Sequence, residues 1–460
     1  MTGREGAEAP PGRAGARDGP WSPPRPAPFG RMMEGDRVRP VTDVEGRAVP
    51  VDSDPLGAVL ADVLASSHRL APRAIPRLVE DTGRRLGLTG ARVYVADLQQ
   101  HALVALPTRE QALRLGAGDG TVELETVLVD NSLAGHAYRT ETAQLSRPGA
   151  GGGGSERTGW IPVVDGIGRI GVLRVTAPEL DPPLLHRCEA LAGLVAMILA
   201  TKQPYSDVLT RTMRTRPMSL QAELLWAFLP PRTIGTPTVT SSALLEPAYD
   251  VGGDTYDHSL AGDLLHLTLL DAMGHDLASG GCSATALAAC RSTRRAGGSL
   301  DDIAVQIDRT LEEWLPERLL TCVIAVLDTS TGRLDWINCG HPAPLLIRDR
   351  RIVTGALDRP PHPPLGLTGY GLPPPPVHTA NLEPGDRLLL FTDGVTDARS
   401  ATGELFGEER LADIVVRALA DGLPAPEALR RLIQQILVHQ NQRLNDDATV
   451  LLAEWHPERG

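Results

Sequence analysis

The stretch "LLHLTLLDAMGH", from Leu264 to His275, combines an apolar run with an abrupt acidic end. Six of its first seven residues are apolar or Thr, which is typical of a buried β-strand, and the run then ends at the carboxylate of Asp271. One reading is a strand that runs into an ordinary turn, because Asp and Gly are common turn residues. The other reading is that Asp271 is a functional ligand, which requires partner carboxylates elsewhere in the chain.

Three more acidic residues border apolar runs in the C-terminal half. Asp254 lies in "AYDVGGDTYD", Asp393 in "DRLLLFTDGVTDA", and Asp446 opens "DDATVLLAEW". Strand ends that converge would gather the oxygen ligands that Mg²⁺ and Mn²⁺ prefer. Two such ions, about 3.5–4 Å apart, activate a water and neutralise phosphoryl oxygens during in-line displacement. Carboxylates gathered without a cation would repel one another, so the pattern predicts a site for divalent cations.

Composition restricts the class of protein. The 460 residues suggest two or three domains, and 42% hydrophobic content can fill their cores. A net charge of -12 without any Lys/Arg block argues against nucleic-acid binding. The five cysteines form no CxxC pair, which suits a reducing cytosol. The longest apolar stretch, 190–200, is shorter than the roughly 20 residues that span a bilayer, so a soluble, cytoplasmic protein is expected.

The N-terminal half divides into two segments. Residues 1–50 are rich in Pro, Gly, Arg and Ala and are predicted to be disordered. Residues 51–202 show a helical pattern broken near Pro72 and Pro76, then strand-like runs and a short helix. They are "ARVYVAD", "HALVAL", "TVELETVLV", "NSLAGHAYRTE" and "WIPVVDGIGRIGVLRVTAP", and the last predicts a hairpin that turns at Asp165-Gly166. A helix from Pro183 to Lys202 closes the segment, and the tract Gly151–Gly154 is expected to be a surface loop.

This order of elements resembles a GAF domain, most clearly in "SLAGHAYRTETAQLS" and "WIPVVDGIGRIGVLRV". The resemblance implies an α+β sensor that binds a small molecule, or a ligand-free module that mediates dimerisation. Both alternatives stay open.

Residues 203–232 are predicted to be a helical linker. In "SLQAELLWAFLPPR" the side chains of Leu220, Leu224, Leu225 and Phe228 share one helical stripe, which ends at two prolines. The stripe either packs on its own domain or pairs with a second chain. Its position between two domains favours a signalling helix, and a homodimer is expected.

Residues 233–456 closely resemble the PPM (PP2C-like) serine/threonine phosphatases, in the bacterial branch typified by RsbU and SpoIIE. The matching motifs follow the order found in the family: "YDVGGDTYD", "LTLLDAMGHD", "TCVIAVLDTSTGRLDWINCGHPAPLLIR", "PPLGL", "LEPGDRLLLFTDGVTDAR", "GELFGEERL" and "NDDATVLLA". The resemblance implies an α+β protein whose C-terminal domain is an α/β/β/α sandwich of two antiparallel sheets flanked by helices.

The resemblance also implies a role for each acidic residue. Asp271 would bridge two Mn²⁺ or Mg²⁺ ions, and Ala272 would contribute its backbone carbonyl. Asp393 and Asp446 would complete the shell of the second ion, and Asp254 would act on the first. Asp271 and Asp393 are therefore the expected catalytic residues.

Several residues near these positions have competing interpretations. Ala272 replaces a usual Gly and would be strained if its φ had to be positive. Asp276 also replaces a Gly, and a helix N-cap is favoured over a role beside the ions. Asp447 is expected to support the ligands from outside. His275 could shuttle a proton or only shape the turn, and His341 is expected to be structural.

Cys282 and Cys290, eight residues apart on an Ala-rich helix, are expected to be core residues.

The expected activity is hydrolysis of phosphoserine or phosphothreonine, on a phosphorylated anti-anti-sigma (STAS) protein, under control of the GAF-like domain. The main alternative is a pseudophosphatase that uses the same fold as a signal-binding scaffold. A second alternative places the main activity in the GAF-like half. A metal-dependent enzyme acting on nucleotides is less well supported, because the chain has no Gly-rich or basic phosphate cradle.

Overall fold

Three antiparallel β-sheets and the helices on their faces make up the structure, a computed structural model that describes residues 55–118, 121–146, 156–250, 252–441, 444 and 446–456. The segment 1–50 that was predicted to be disordered, and the glycine tract 151–154, lie outside the described residues.

The first sheet and its helices form what we call the N-terminal module, residues 55–213. Its sheet has the strand order β3-β2-β1-β6-β5-β4. The elements are α1 (Pro55–Ser67), α2 (Ile75–Arg85), β1 (Gly90–Ala96), β2 (Ala102–Ala105), α3 (Arg109–Gly116), β3 (Thr126–Leu128), α4 (Leu133–Thr140), β4 (Gln144–Leu145), β5 (Arg157–Asp165), β6 (Gly168–Ala177), α5 (Pro182–Lys202) and α6 (Asp207–Met213), with 3-10 turns at Pro72–Ala74 and Gln203–Tyr205.

Local sequence signals explain most of this module. The hairpin of β5 and β6 turns after Asp165, as predicted, and Gly166 takes the positive φ of 61° that the turn needs. Helix α4 begins after Ser132, whose hydroxyl accepts a hydrogen bond from the amide of Gly135 at 2.9 Å. Helix α3 was not predicted, although Thr108 and Gln111 form a capping box at its start.

Helix α5 is the long helix that packs on the first sheet. By length and composition alone, Pro182–Tyr205 could cross a membrane. Its side chains at Cys188, Leu191 and Val195 are fully buried in the core of the module. Since a core helix passes the same test of length and composition, the packing identifies α5 as part of the fold.

The other two sheets form the C-terminal module, residues 220–456. They have the strand orders β15-β12-β11-β10-β9 and β14-β13-β16-β17-β8-β7. The elements are α7 (Leu220–Phe228), β7 (Thr233–Thr236), β8 (Val239–Glu246), β9 (Asp254–Ala261), β10 (Leu264–Ala272), α8 (Leu277–Arg295), α9 (Leu300–Trp314), β11 (Leu320–Asp328), β12 (Arg333–Cys339), β13 (Leu345–Arg348), β14 (Arg351–Ile352), β15 (His378–Asn381), β16 (Arg387–Phe391), α10 (Asp393–Thr396), α11 (Glu408–Ala420), α12 (Ala425–His439) and β17 (Ala448–Trp455), with a 3-10 turn at Thr368–Tyr370.

The apolar run of β10 is continuous because both faces of its sheet are covered. Leu265, Leu267 and Leu269 point into the core between the two sheets. Leu270 and Ala272 point to the opposite face and pack with α8 and α9. A third core lies under α11 and α12 on the outer face of the six-stranded sheet. Alternation along each strand therefore builds the predicted layers of helix, sheet, sheet and helix.

Cys282 and Cys290, on α8, are fully buried in the core between that helix and the five-stranded sheet, as predicted.

Helix α7 packs against its own module. Leu225 and Ala222 are fully buried in the core between the sheets, whereas Leu220 and Phe228 are 67% and 39% exposed. The apolar stripe of α7 is therefore split between the core and the surface, because the contact with α8 buries only one side of the helix. This packing corresponds to the first of the two readings of the linker.

Buried ion pairs connect the two modules. Arg430, on α12, donates hydrogen bonds to Asp130 at 2.8 Å and to Glu427 at 2.8 Å. Arg169, on β6, donates to the same Glu427 at 3.1 Å. Glu427 is completely buried and both arginine side chains are 2% exposed. Because a charge left unpaired in such a place is costly, this cluster fixes how α12 meets the first sheet.

Candidate metal centre

Two of the predicted ligands are direct neighbours in one sheet. Asp271, the penultimate residue of β10, is paired with Asp254, the first residue of β9. Like charges placed opposite each other on adjacent strands destabilise a sheet. On the other side of Asp271 lies Thr321 of β11, its partner in the strand pairing, and the polar side chain of Thr321 opposes the rise in the pKa of Asp271 that burial causes.

The second sheet delivers the other two ligands to the same place. Asp393 follows the end of β16 by two residues, and Asp446 and Asp447 immediately precede β17, which pairs with β16. Gly394 makes the approach close: a Cβ built on it would lie 1.9 Å from the carbonyl oxygen of Asp447 and 3.4 Å from the Cβ of Asp446. Only a glycine fits here without displacing the strand entry.

Asp254 joins the two sheets. Its Oδ2 accepts hydrogen bonds from the hydroxyls of Thr392 at 2.8 Å and Thr449 at 2.6 Å. Thr392 precedes Asp393 and Thr449 follows Asp447 by two residues, so both donors belong to the six-stranded sheet. The side chain of Asp254 is 2% exposed and its position is fixed from both sides.

Asp447 acts as a backbone anchor. Its Oδ2 accepts hydrogen bonds from the amides of Gly252, Gly253 and Asp254, at 2.7, 2.8 and 3.1 Å. One carboxylate oxygen thereby fixes the start of β9 relative to the start of β17. These contacts support the expectation that Asp447 holds the ligands in place from outside.

The two departures from the family pattern do not disturb this geometry. Ala272 stays in the β10 ladder, paired with Leu320, and positive φ falls on Gly274 at 100° instead. Gly253 packs on Ala272, since a Cβ on Gly253 would lie 2.2 Å from the Ala272 carbonyl oxygen. Asp276 is the N-cap of α8, as predicted, and accepts a hydrogen bond from the amide of Ser279 at 2.8 Å.

The electrostatics of the cluster match a site for cations. Burial, reinforced by Asp393, Asp446 and Asp447, raises the pKa of Asp271 to about 7. Burial and then the charge of Asp271 hold the pKa of Asp254 well above its usual value.

Burial, followed by the charge of Asp446, also raises the pKa of Asp393. Within the described part of the chain, no Lys, Arg or His forms an ion pair with any of these carboxylates.

The donor set suits Mg²⁺ or Mn²⁺. Among the described residues, no three His, Cys, Asp or Glu side chains form a group that could hold an ion by themselves. Mg²⁺ is usually held by one or two carboxylates together with several waters, so a side-chain cage is not required. Carboxylates at the ends of four strands, one backbone carbonyl and solvent would provide such a shell.

The histidines differ in their surroundings. His341 is 5% exposed, and its Nδ1 lies 2.8 Å from the hydroxyl of Thr321, the strand partner of Asp271. Burial lowers the pKa of His341 to about 4, so the ring is neutral at physiological pH. These contacts agree with a structural role. His275 is exposed at the turn after β10, and both interpretations of it stay open.

Sequence reasoning missed the hydroxyl groups that orient the carboxylates. Thr392 and Thr449 each donate a side-chain hydrogen bond to Asp254, and Thr321 is paired with Asp271 across neighbouring strands. The available signal was their position: each lies within two or three residues of a strand end, in or beside an otherwise apolar run.

Residues 261–456 match the model of the family described as stage II sporulation protein E (SpoIIE). The matched segment is similar to the SpoIIE family and spans less than half of the chain. It contains Asp271, Ala272, Asp393 and Asp446, while Asp254 lies just before it.

The individual relatives each match only part of this chain. Protein IcfG of Synechocystis is 30% identical over 140 residues, which cover 29% of this chain and 20% of IcfG. The structure of the RsbU and RsbW domains of Rv1364c from Mycobacterium tuberculosis is 22% identical with a TM-score of 0.42, and the match covers 50% of this chain and 63% of that one.

The catalytic domain of the serine/threonine phosphatase PstP, in complex with two manganese ions, is 20% identical with a TM-score of 0.35 and covers 48% and 99% of the two chains. The chain therefore spans only a fifth of IcfG and less than two thirds of the RsbU–RsbW structure.

Proposed function

We propose that this protein is a metal-dependent serine/threonine phosphatase that hydrolyses phosphoserine and phosphothreonine in a protein substrate. The observation that carries the proposal is the meeting of Asp254 and Asp271, paired across two strands, with Asp393 and Asp446 from the opposite sheet. No basic side chain of the described residues offsets their charge, so the arrangement calls for cations of another kind.

Each residue has a distinct task in this proposal. Asp271 lies between the two sheets and would contact both ions, with Thr321 as its partner in the strand pairing. Asp393 and Asp446 would hold the ion nearer the six-stranded sheet, and Asp254 and the carbonyl of Ala272 the other. When bound, two Mn²⁺ or Mg²⁺ ions supply the positive charge that activates a water and offsets the charge of the phosphoryl oxygens.

The proposed substrate is a phosphorylated anti-anti-sigma (STAS) protein, and the proposed control is through the N-terminal module with its GAF-like order of elements. The match of residues 261–456 to the SpoIIE family model supports the first part. We also infer a cytoplasmic homodimer. Five buried, unpaired cysteines support a reducing compartment, and the exposed Leu220 and Phe228 on α7 support contact with a second chain.

The proposal is tested with the purified chain, Mn²⁺ and a panel of STAS proteins phosphorylated on serine or threonine. Asp271→Asn and Asp393→Asn are expected to abolish phosphate release, because each removes a charged oxygen donor. Asp421→Asn is the matched control, since Asp421 is exposed at the end of α11 and lies outside the site. Activity equal to that of the wild type in Asp271→Asn and Asp393→Asn, with folding verified by circular dichroism, would refute the site.

A pseudophosphatase scaffold is the second candidate. The observation that favours it is that no three side chains of the described residues form a ready metal-binding group, which would suit weak metal affinity. Calorimetric titration with Mn²⁺ separates the two: the phosphatase proposal predicts heat that Asp271→Asn removes, and the scaffold predicts little heat in either protein.

A further inference from the structure

A cavity of about 700 Å³ lies where the two modules and the linker between them meet. The N-terminal module contributes the turns after β1 and β5, with Gln100 and Arg169. The segment between the modules contributes Met218, and the C-terminal module contributes Trp226, Arg232 and Leu429. Its size is within the range of small-molecule sites, which occur preferentially at junctions between domains.

Arg169 presents an unused hydrogen-bond donor at this cavity. Its side chain is 2% exposed, and its guanidinium group lies 4.6 Å from the ring centre of Tyr138. One terminal nitrogen donates to Glu427 at 3.1 Å and the other to Gln100 Oε1 at 2.9 Å. The Nε–H is buried and has no partner. Arginine nitrogens only donate, so an acceptor atom is required to satisfy this group.

Arg232 provides a second positive charge on the wall. Its guanidinium lies 5.0 Å from the ring centre of Trp226 and donates to the carbonyl oxygen of Leu98. In the described part of the chain, no carboxylate lies within ion-pair distance of Arg232. Its direct contacts are therefore a ring and a neutral carbonyl. Burial raises the pKa of the nearby Glu246 carboxyl, and the charge of Arg232 opposes that rise, so Glu246 offsets part of the charge from beyond ion-pair distance.

The acidic residues on the wall are already engaged or lie at its rim. Asp97 accepts hydrogen bonds from the amides of His101 and Ala102 at 2.7 and 2.9 Å. Glu223 pairs with Arg214 through two hydrogen bonds. Asp165 is exposed at the β5–β6 turn. The charge that remains available to a ligand is positive.

We propose that this cavity binds a small organic anion with a flat apolar body, an aromatic carboxylate being the class that fits. The carboxylate would accept from Arg169 Nε and Arg232, and the aromatic body would lie against Trp226 and the apolar side chains of Met218 and Leu229. Because the wall belongs to both modules, an occupant stabilises their contact. The site is separate from the acidic cluster and does not depend on phosphatase activity.

The test uses the full chain and two matched probes, 2-naphthoate and the uncharged 2-naphthylmethanol, in calorimetric titrations and thermal-shift measurements. One naphthoate is expected to bind per chain and to raise the melting temperature. Arg169→Gln and Arg232→Gln should each weaken binding about tenfold or more, since each removes a hydrogen bond from a charged donor. Arg187→Gln, at an exposed position on α5, is the control and should bind normally.

Ala227→Trp is a second test of the cavity that does not depend on whether the arginine variants fold. Ala227 is exposed on α7 and lines the cavity, so the larger side chain should fill it and abolish binding without removing a charge. Absence of naphthoate binding to the wild type, equal binding of the uncharged probe, or binding that survives Ala227→Trp and Arg232→Gln would each overturn the proposal.

Discussion

Gly394→Ala is the substitution that most specifically disturbs the proposed metal centre without touching a carboxylate. The added Cβ would lie 1.9 Å from the Asp447 carbonyl oxygen, and ordinary contact begins at 3.4 Å, so the chains must separate by 3.4 − 1.9 = 1.5 Å. That movement carries Asp393 away from Asp446. A misplacement of about 1 Å costs about 10²-fold in rate, so kcat/KM should fall about 10²-fold, equivalent to about 2.7 kcal/mol.

The assay is Mn²⁺-dependent release of phosphate from a phosphorylated STAS protein, together with calorimetric Mn²⁺ affinity, at a temperature where the variant is folded. Gly281→Ala is the matched control: its Cβ would have no atom within 4 Å, and alanine should stabilise the helix by about 1 kcal/mol. Gly394→Ala with the rate and Mn²⁺ affinity of the wild type would refute the reasoning.

Three other predictions concern the surroundings of the site. Asp276→Ala removes the N-cap of α8 and should lower the free energy of unfolding by about 1 kcal/mol with activity retained; lost Mn²⁺ affinity would contradict the capping role. Asp447→Ala leaves three buried amides without their acceptor, so urea unfolding should show a loss of about 3 kcal/mol or more, and an unchanged midpoint would contradict the anchor. In EDTA, the free energy of unfolding should fall as the pH rises from about 4 to 7, because the folded state keeps the proton on Asp271 that the unfolded state has lost. Asp271→Asn should flatten this dependence on pH. A free energy of unfolding that rises over the same range would contradict the raised pKa of Asp271.

The layered fold of the C-terminal module was accessible from the sequence because its strands are apolar on both faces. From Leu267 to Leu270 the strand is buried on both sides by helices and by the opposite sheet, so burial leaves a continuous apolar signal. The hairpin at Asp165-Gly166 was equally clear, since the turn residues interrupt two alternating strands.

Other elements could not be predicted because their signals are weak or depend on tertiary contacts. The run "TVELETVLV" forms only the short strand β3, at an edge of its sheet where pairing has one partner. The apolar stripe of helix α7 predicts a single buried face, but contact with α8 buries Leu225 and leaves Leu220 exposed. Helix propensity does not indicate which side of a helix a tertiary contact will bury.

The candidate metal centre was likewise predictable only in part from the sequence. Carboxylates at strand ends are visible in a sequence, and they were the basis for choosing Asp254, Asp271, Asp393 and Asp446. The pairing of Asp254 with Asp271 depends on the register of β9 and β10, and the closeness of Asp393 to Asp446 depends on Gly394. Neither is encoded in local spacing, because both arise from contacts between residues distant in the chain.

Anomalous X-ray scattering from crystals grown with Mn²⁺ would locate the ions in the acidic cluster. Two manganese peaks that share the Asp271 carboxylate are expected, one of them also bonded to Asp393 and Asp446. Diffraction that shows no manganese on Asp271, or manganese only at carboxylates outside this cluster, would contradict this expectation.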